Sequence, residues 1–248
     1  MYNPYSLNGK FVLVTGASSG IGRATAIECS KMGANVIITG RNEERLKDTQ
    51  SRMEGEVMTL CCDLSVNDEL ESLVKSLPIL HGVVINAGIG KLAPVKIIKQ
   101  SDLSDVLNTN TISSIMLLQK LLKYKKLSIG TSVVFTSSVS ALGQTAIGNA
   151  MYSASKGAIS SFVKVAALEL SPRRIRVNAI CPGEVRTPLT AENDLMTGDI
   201  DEGLRRYPLG RFGEPRDIAL SMVFLLSDAS SWITGINMVV DGGLTIRA

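Results

Sequence analysis

The chain has 248 residues, 45% of them hydrophobic, which is enough to bury the core of one α/β domain. Its 26 basic and 23 acidic side chains leave a formal charge of +3, too small and too dispersed to indicate nucleic-acid binding. No apolar stretch reaches the ~18 residues of a membrane helix, and the N-terminus lacks the apolar core of a secretory signal. We therefore expect one domain over residues 1–248 and a cytoplasmic protein.

The placement of the four cysteines also favours a cytoplasmic protein. Cys29, Cys61, Cys62 and Cys181 fall within apolar segments, and their spacing is not that of a metal site. We expect reduced thiols in the core and no bound metal.

Short β-rich runs alternate with helical segments along the chain. The predicted strands begin at Phe11, Asn35, Glu56, Gly82, Ser132, Ile175 and Asn237. Most are continuously apolar, which is typical of a parallel sheet covered on both faces. Helices are predicted at 24–32, 43–53, 67–77, 103–122, 155–170 and 215–226. The alternation predicts an α/β fold, a doubly wound, parallel seven-stranded sheet with helices on both faces.

A glycine-rich turn, TGASSGIG from Thr15, follows the first strand and leads into a helix near Arg23. Gly16 allows a tight exit turn, Gly20 a close approach to a pyrophosphate, and Gly22 close packing of the helix. The helix amides then face the anion. This context predicts dinucleotide binding, with a purely structural turn as the alternative. Further contacts are expected from Ser18, Ser19 and Ile21.

The end of the second strand, Gly40 followed by Arg41, bears on the choice of cofactor. An acid at Gly40 would bind the 2′-hydroxyl of the adenosine ribose and repel a 2′-phosphate. Its absence beside the Arg41 guanidinium favours NADP(H) over NAD(H). The alternative is a solvated Arg41 at a helix start, in which case NAD(H) is used.

Tyr152 and Lys156, in the segment YSASK, stand four residues apart on one face of a predicted helix. A nearby ammonium group favours a phenolate, so we expect Lys156 to lower the pKa of Tyr152 toward a working range. Such a pair suits hydride chemistry, because a carbonyl oxygen needs a proton as hydride reaches its carbon. The alternative is a surface pair of the kind that occurs often by chance.

Taken together, these motifs make the whole chain resemble the short-chain dehydrogenase/reductase family, and closely the subgroup that includes 3-oxoacyl-carrier-protein reductases. The resemblance also rests on INAG at 85–88, TNTIS from Thr109, FTSS from Phe135, CPG at 181–183, PLGRFGEP from Pro208 and VDGG from Val240. It implies a single-domain Rossmann-type fold. It also implies an NADP(H)-dependent oxidoreductase acting on a ketone or secondary alcohol, with a 3-oxoacyl thioester among the candidate substrates.

The resemblance assigns catalytic roles residue by residue. Tyr152 would be the general acid/base, and Lys156 would hold the nicotinamide ribose hydroxyls. Asn110 would bind a water linking Lys156 to solvent, although Asn108 stands two positions away and Asn110 can be an ordinary polar residue. Ser138 would orient the substrate oxygen. Its spacing to the tyrosine is one residue longer than usual in the family, so Ser137 and Ser140 remain alternatives.

The resemblance also extends the cofactor site to other strand ends. Asp63 and Leu64 would contact adenine, although Asp63 can instead be a helix N-cap. Asn86, Ala87 and Gly88 would lie beside the adenosine ribose, and Pro182, Gly183, Val185 and Thr187 beside the nicotinamide carboxamide. These positions agree with the rule that ligands bind beyond the carboxyl ends of strands.

Substrate choice is expected to depend on a lid at 188–210, which is long for a simple connection. A cluster of basic residues could dock an acidic acyl carrier protein at the active-site rim, or simply be solvated at helix ends. The cluster comprises Lys123, Lys125, Lys126, Arg173 and Arg174. A homotetramer is expected from the resemblance and from the apolar face of 155–170.

Two other functions remain open. A catalytically inactive cofactor-binding regulator is disfavoured because the candidate catalytic residues are all present. An epimerase using transient oxidation usually has a larger sugar-nucleotide domain than this chain supplies.

Overall fold

A computed structural model describes residues 2–192 and 200–246. All seven predicted strands are present. They are β1 (Phe11–Thr15), β2 (Asn35–Gly40), β3 (Val57–Cys61), β4 (Leu80–Ile85), β5 (Leu127–Thr136), β6 (Arg176–Pro182) and β7 (Asn237–Val240). They form one parallel sheet in the order β3-β2-β1-β4-β5-β6-β7, which confirms the doubly wound topology.

Helices follow the strands and cover both faces of the sheet. They are α1 (Gly20–Lys31), α2 (Glu43–Gln50), α3 (Asn67–Ser76), α4 (Gln100–Leu107), α5 (Ser113–Lys123), α6 (Ala150–Leu170), α7 (Pro188–Glu192), α8 (Ile200–Arg205) and α9 (Pro215–Leu226). The single helix predicted at 103–122 is wrong in detail, because a π-helical turn, Asn108–Ile112, separates α4 from α5. The helix predicted to begin at 155 begins five residues earlier, so Tyr152 lies in its first turn.

Two apolar layers hold the sheet between its helices. Val12 and Val14 of β1 pack into the layer that includes residues of α1, α2 and α9, whereas Leu13 packs into the layer that includes residues of α3, α5 and α6. Successive side chains of a strand point to opposite faces, so a strand buried on both faces must be apolar throughout. This explains the continuously apolar runs in the sequence.

The cysteines only partly match the expectation of core thiols. All four are free, and Cys29, Cys62 and Cys181 are buried, but Cys61 is exposed. Cys61 ends β3, the edge strand of the sheet, where one side lacks a neighbouring strand. Within the described residues, no cluster of His, Cys, Asp and Glu has a metal-binding arrangement, and no helix is long and apolar enough to cross a membrane.

Candidate active site

A cleft of about 330 Å³ lies at the carboxyl ends of the strands, beside the point where the chain changes direction between β1 and β4. It is lined by every residue that the sequence analysis assigned to the cofactor or to catalysis, apart from Gly22 and Asn110. Those two lie behind the surface of the cleft, where they contact residues that line it. The predicted site residues are therefore brought together in one place.

The glycine-rich turn depends on a close backbone contact between Gly16 and Gly22. A Cβ added at Gly22 would lie 2.2 Å from the Gly16 carbonyl oxygen, well inside the 3.0 Å that real Cβ contacts essentially never go below. Gly16 itself has a φ of +64° and packs against Ala87 at the exit of β4. The two glycines thus bring the turn directly against the end of the fourth strand.

The N-terminus of α1 is open to an anion. Ser19 is its N-cap but makes no side-chain capping hydrogen bond, and the first turn contains no acidic residue. Arg23 fixes the turn in front of it by donating a 2.6 Å hydrogen bond to the Ser18 carbonyl and another of 3.0 Å to Thr49 Oγ1. Free amides, a favourable helix dipole and a rigid turn together suit a pyrophosphate.

At the other side of this turn, two guanidinium groups line the cleft. Arg41 is 65% exposed and lies 3.9 Å from a carboxylate oxygen of Asp63. Arg45, in the first turn of α2, lines the same wall. A Cβ at Gly40 would lie 3.5 Å from Ser18 Oγ, so the position where an acid would stand is open beside a hydroxyl group. This end of the cleft is basic.

Asp63 does not cap a helix, because α3 begins at Asn67 and its N-cap is Val66. Instead its Oδ1 accepts hydrogen bonds from the Ser65 amide and hydroxyl, at 2.9 and 2.6 Å. Burial raises the pKa of Asp63, but these hydrogen bonds and the charge of Arg41 outweigh it, and the pKa lies below its ordinary value. The carboxylate is therefore ionised at neutral pH.

Tyr152, Lys156 and Ser138 meet at the far end of the cleft. Lys156 Nζ lies 5.6 Å from the centre of the Tyr152 ring and donates a 2.8 Å hydrogen bond to the Thr136 carbonyl. Ser138 follows β5 and is hydrogen-bonded to the Tyr152 side chain. Two side chains from α6 and one from the end of β5 thus converge on one point.

The alternative serines are engaged elsewhere. Ser137 Oγ lies 2.7 Å from Ser160 Oγ and donates to the Lys156 carbonyl, so it is turned onto α6. Ser140 Oγ accepts a 3.2 Å hydrogen bond from the Asn149 side chain. Of the three candidates, Ser138 is the one placed against Tyr152.

The protonation behaviour of the pair differs from the expectation. Burial raises the pKa of Tyr152 to about 12, and the hydrogen bond with Ser138 only partly opposes this shift. Burial also lowers the pKa of Lys156 to about 8. Desolvation thus opposes the predicted effect of Lys156 on the pKa of Tyr152, because it disfavours both charged forms. Lys156 is buried, whereas Tyr152 lines the cleft and is only partly buried, so the desolvation is more complete at Lys156.

Asn110 lies in the π-helical turn, and its side chain makes three hydrogen bonds. Its Oδ1 accepts from the Ile89 amide, and its Nδ2 donates to the Ile89 carbonyl and to Ser155 Oγ, at 2.8, 2.9 and 3.0 Å. Both side-chain N–H groups are used, so a water could bind this side chain only at the second lone pair of Oδ1. Asn110 stands just behind Gly88, where an added Cβ would lie 3.1 Å from its Oδ1 and 3.5 Å from Lys156 Nζ.

The segment after β6 forms part of the wall of the cleft. Gly183 packs against Asp241, and Val185 forms an isolated bridge with Gly213. The proposed lid at 188–210 contains α7 and α8, and Tyr207 behind them makes an edge-on ring contact with Phe212 at 5.4 Å. Residues 193–199 of the lid lie outside the described residues, and its role as a lid stays a prediction.

The basic cluster is not at the active-site rim, so that part of the expectation is wrong. Lys126 stands just before the start of β5 and donates to the Leu77 carbonyl, and Arg173 donates to the Leu127 carbonyl. These positions are at the amino ends of the strands, whereas the cleft is at their carboxyl ends. Because β5 and β6 run parallel, the cluster lies at the opposite end of the strands from the cleft.

Sequence reasoning missed several residues that line the cleft. They include Arg45, Cys62, Ser65, Ile89, Thr109, Ser113, Thr136 and Thr190. Arg45 was accessible to reasoning, because it lies in the first turn of the helix that follows the carboxyl end of β2, where ligands bind. Thr109 and Ser113 were not, since their placement depends on the π-helical turn.

Comparison with known proteins agrees with this arrangement. The family model described as enoyl-(acyl carrier protein) reductase matches residues 16–245. A 3-oxoacyl-(acyl-carrier-protein) reductase of Thermotoga maritima is 36% identical over 97% of this chain and 99% of its own. A glucose 1-dehydrogenase of Gluconobacter oxydans is 35% identical over 96% of this chain and 92% of its own.

A solved structure shows the same likeness in three dimensions. It is that of a putative 2-deoxy-D-gluconate 3-dehydrogenase from Agrobacterium tumefaciens with bound NADP, which superimposes with a TM-score of 0.88 at 31% identity, over 99% of this chain and 100% of that one. Because the family model and these relatives span nearly the whole sequence, the chain belongs to the short-chain dehydrogenase/reductase family of oxidoreductases.

Proposed function

We propose that the protein is an NADP(H)-dependent oxidoreductase that transfers a hydride between nicotinamide and a ketone or secondary alcohol. The observation that carries this proposal is the convergence of Tyr152, Ser138 and Lys156 at one end of a cleft. The other end of the same cleft has an anion-binding helix N-terminus and two guanidinium groups. A dinucleotide lying along this cleft would reach both ends.

A bound nicotinamide supplies or accepts the hydride, and the protein handles the proton. In the reducing direction, Ser138 donates a hydrogen bond to the carbonyl oxygen and Tyr152 transfers its hydroxyl proton to that oxygen as the carbon gains hydride. A pKa of about 12 keeps Tyr152 protonated at neutral pH, as a proton donor must be. In the oxidising direction, the same hydroxyl must first lose its proton.

Lys156 would hold the nicotinamide ribose hydroxyls and favour the tyrosinate that remains after proton transfer. With a pKa of about 8, it is mostly charged at neutral pH. Its Nζ already donates one hydrogen bond, to the Thr136 carbonyl, and an ammonium group has two further protons to offer. Lys156 can therefore serve both roles at once.

The preference for NADP(H) rests on the basic end of the cleft. Arg41, Arg45 and Ser18 line the cleft, and Ser18 Oγ lies 3.5 Å from where a Cβ at Gly40 would stand. Charge-assisted hydrogen bonds from the two arginines would bind a 2′-phosphate. The related dehydrogenase with bound NADP supports this preference by similarity. Asp63, held beside Arg41, would repel a phosphate and so limit the discrimination between the cofactors.

The substrate range is left broad by the relatives, which are named for acyl-carrier-protein thioesters and for glucose. A 3-oxoacyl thioester is one candidate, and an acyl carrier protein is then the partner that presents it. Because the basic cluster lies at the amino ends of the strands, away from the cleft, such a carrier would have to dock on other residues.

We also propose a homotetramer and a cytoplasmic location. Assembly is supported by large apolar side chains exposed on the outer face of α6, where Val165 and Leu168 are 53% and 76% exposed. Four free cysteines are consistent with a reducing compartment.

A turnover assay tests the proposal. The purified protein is mixed with NADPH and a panel of ketones, sugars and 3-oxoacyl thioesters, and the loss of reduced-nicotinamide absorbance is followed. We expect oxidation of NADPH with at least one carbonyl compound. Binding of NADPH without turnover on any of them would favour the inactive regulator, and conversion of a sugar without net NADPH loss would favour the epimerase.

A further inference from the structure

Ser155 has no part in the proposed chemistry, yet it is completely buried, on the side of α6 that contacts the π-helical turn. Its Oγ donates a 2.7 Å hydrogen bond to the Tyr152 carbonyl and accepts a 3.0 Å bond from Asn110 Nδ2. Its own carbonyl accepts a 2.9 Å bond from Thr111 Oγ1. Two of these three bonds join α6 to the π-helical turn.

The direction of these bonds is fixed by the chemistry of a hydroxyl group. Ser155 has one hydroxyl proton, which goes to the Tyr152 carbonyl, so an oxygen lone pair is left to accept from Asn110. At 0% exposure no water can replace either partner. Loss of the Oγ would leave one buried N–H of Asn110 without an acceptor, which is costly.

Asn110 carries the connection onward to the cleft. Its remaining side-chain bonds hold both the amide and the carbonyl of Ile89, which lines the cleft immediately after Gly88. Gly88 lies beside Lys156, because a Cβ added at Gly88 would be 3.5 Å from Lys156 Nζ. A continuous set of hydrogen bonds, buried or partly buried, thus runs from the helix that bears Tyr152 to the exit of β4.

We infer that Ser155 is a positioning residue, which fixes Tyr152 and Lys156 relative to the exit of β4 through Asn110. Ser155 does not line the cleft and touches no reacting group. The inference rests on the proposed function, since the groups that it positions are those that handle the proton.

The test substitutes Ser155→Ala and measures turnover, cofactor binding and the titration of Tyr152. Loss of one buried hydrogen bond is expected to lower kcat about tenfold. The Kd for NADPH, measured by fluorescence, should rise by a smaller factor than kcat falls, because the glycine-rich turn and the arginines at the other end of the cleft are untouched and only the Lys156 contact is displaced. NMR of labelled tyrosine, with Tyr152→Phe to assign the signal, should show a lower Tyr152 pKa as water gains access to the loosened helix.

Ser30→Ala is the matched control. Ser30 is also buried, and its Oγ donates to the Ile27 carbonyl at 2.8 Å and accepts from the Glu54 amide at 3.0 Å. It does not line the cleft, so its loss should lower Tm without changing kcat or the Tyr152 titration.

A wild-type kcat and an unchanged Tyr152 titration in Ser155→Ala, with a loss of Tm like that of Ser30→Ala, would overturn the inference. If Ser155→Ala does not fold, Ser155→Cys keeps the size of the side chain with a much weaker donor, and the same wild-type readouts would overturn it there. If the wild type shows no turnover at all but its Tyr152 titration still changes in Ser155→Ala, the proposed function would be refuted and the positioning role would stand.

Discussion

Lys156 Nζ lies 5.6 Å from the centre of the Tyr152 ring, and burial shifts the pKa values of the two groups in opposite directions. The tyrosine stays protonated and the lysine becomes easier to deprotonate than usual. Both shifts have the same cause, since a buried site disfavours a phenolate and an ammonium alike. At neutral pH the pair is therefore a neutral phenol beside a mostly charged ammonium group, and loss of the Tyr152 proton would create an ion pair.

This burial predicts a stability that depends on pH. The pKa of Lys156 falls from its ordinary value of 10.5 to about 8, so the unfolded chain binds more protons than the folded protein between these values. Stability from this group accordingly rises as pH increases from about 8 to 10.5. Lys156→Met should remove about 3 kcal/mol of that rise.

Urea unfolding of wild type and Lys156→Met at several pH values measures this difference. The free energies of unfolding should diverge in favour of the wild type between about pH 8 and 10, below the range where Tyr152 titrates. The lost bond to Thr136 adds only a constant offset. Parallel curves for the two proteins over that range would show that Lys156 is not desolvated.

Two glycine substitutions should have opposite effects. Gly22→Ala places a Cβ 2.2 Å from the Gly16 carbonyl oxygen and should cost about 1–3 kcal/mol or more, with weaker NADPH binding. Gly157→Ala, next to Lys156 in α6, meets nothing within 4 Å and should add about 0.5–1 kcal/mol through helix propensity. Urea unfolding and NADPH titration of both variants check this. Equal stabilities would contradict the close contact between Gly16 and Gly22.

The choice of cofactor depends on Arg41 and Arg45. A charge-assisted contact contributes roughly 1.5–3 kcal/mol, so wild type should bind NADPH about ten- to a hundredfold more tightly than NADH. The double substitution Gly40→Asp with Arg41→Ala should weaken NADPH binding and improve NADH binding. Arg45→Ala should weaken NADPH binding and leave NADH binding unchanged.

Fluorescence titration of both reduced cofactors gives these affinities. Arg52→Ala is the matched control, because Arg52 is paired with Asp48 beyond the end of α2 and does not line the cleft. If wild type already prefers NADH, the two arginines are solvated side chains and the assignment of NADP(H) is wrong.

The proposed tetramer makes a prediction about α6. Light scattering at micromolar concentration should give the mass of four chains for wild type. Leu168→Glu places a charge on the exposed apolar face and should yield smaller species. A monomeric wild type would contradict the assembly.

The sequence was sufficient for the sheet and for many of the residues of the cleft, because strands buried on both faces have a recognisable pattern and the glycine-rich turn follows the first of them. Two features depended on packing instead. The break between α4 and α5 arises at the π-helical turn, where Asn110 bonds to Ile89 and Ser155, and nothing in the local sequence marks it. The pKa of Tyr152 depends on burial by neighbours distant in sequence, and the spacing to Lys156 alone suggested the opposite shift.

The most direct test of the account is the turnover of Tyr152→Phe. This variant removes only the hydroxyl group that transfers the proton, so it should bind NADPH with nearly the affinity of wild type and lose about 10²–10⁴-fold in kcat. Tyr124→Phe removes a hydroxyl bonded to Glu71, outside the cleft, and should retain kcat. Single-turnover decay of NADPH absorbance with a saturating carbonyl substrate measures the effect. Wild-type decay in Tyr152→Phe would contradict the account.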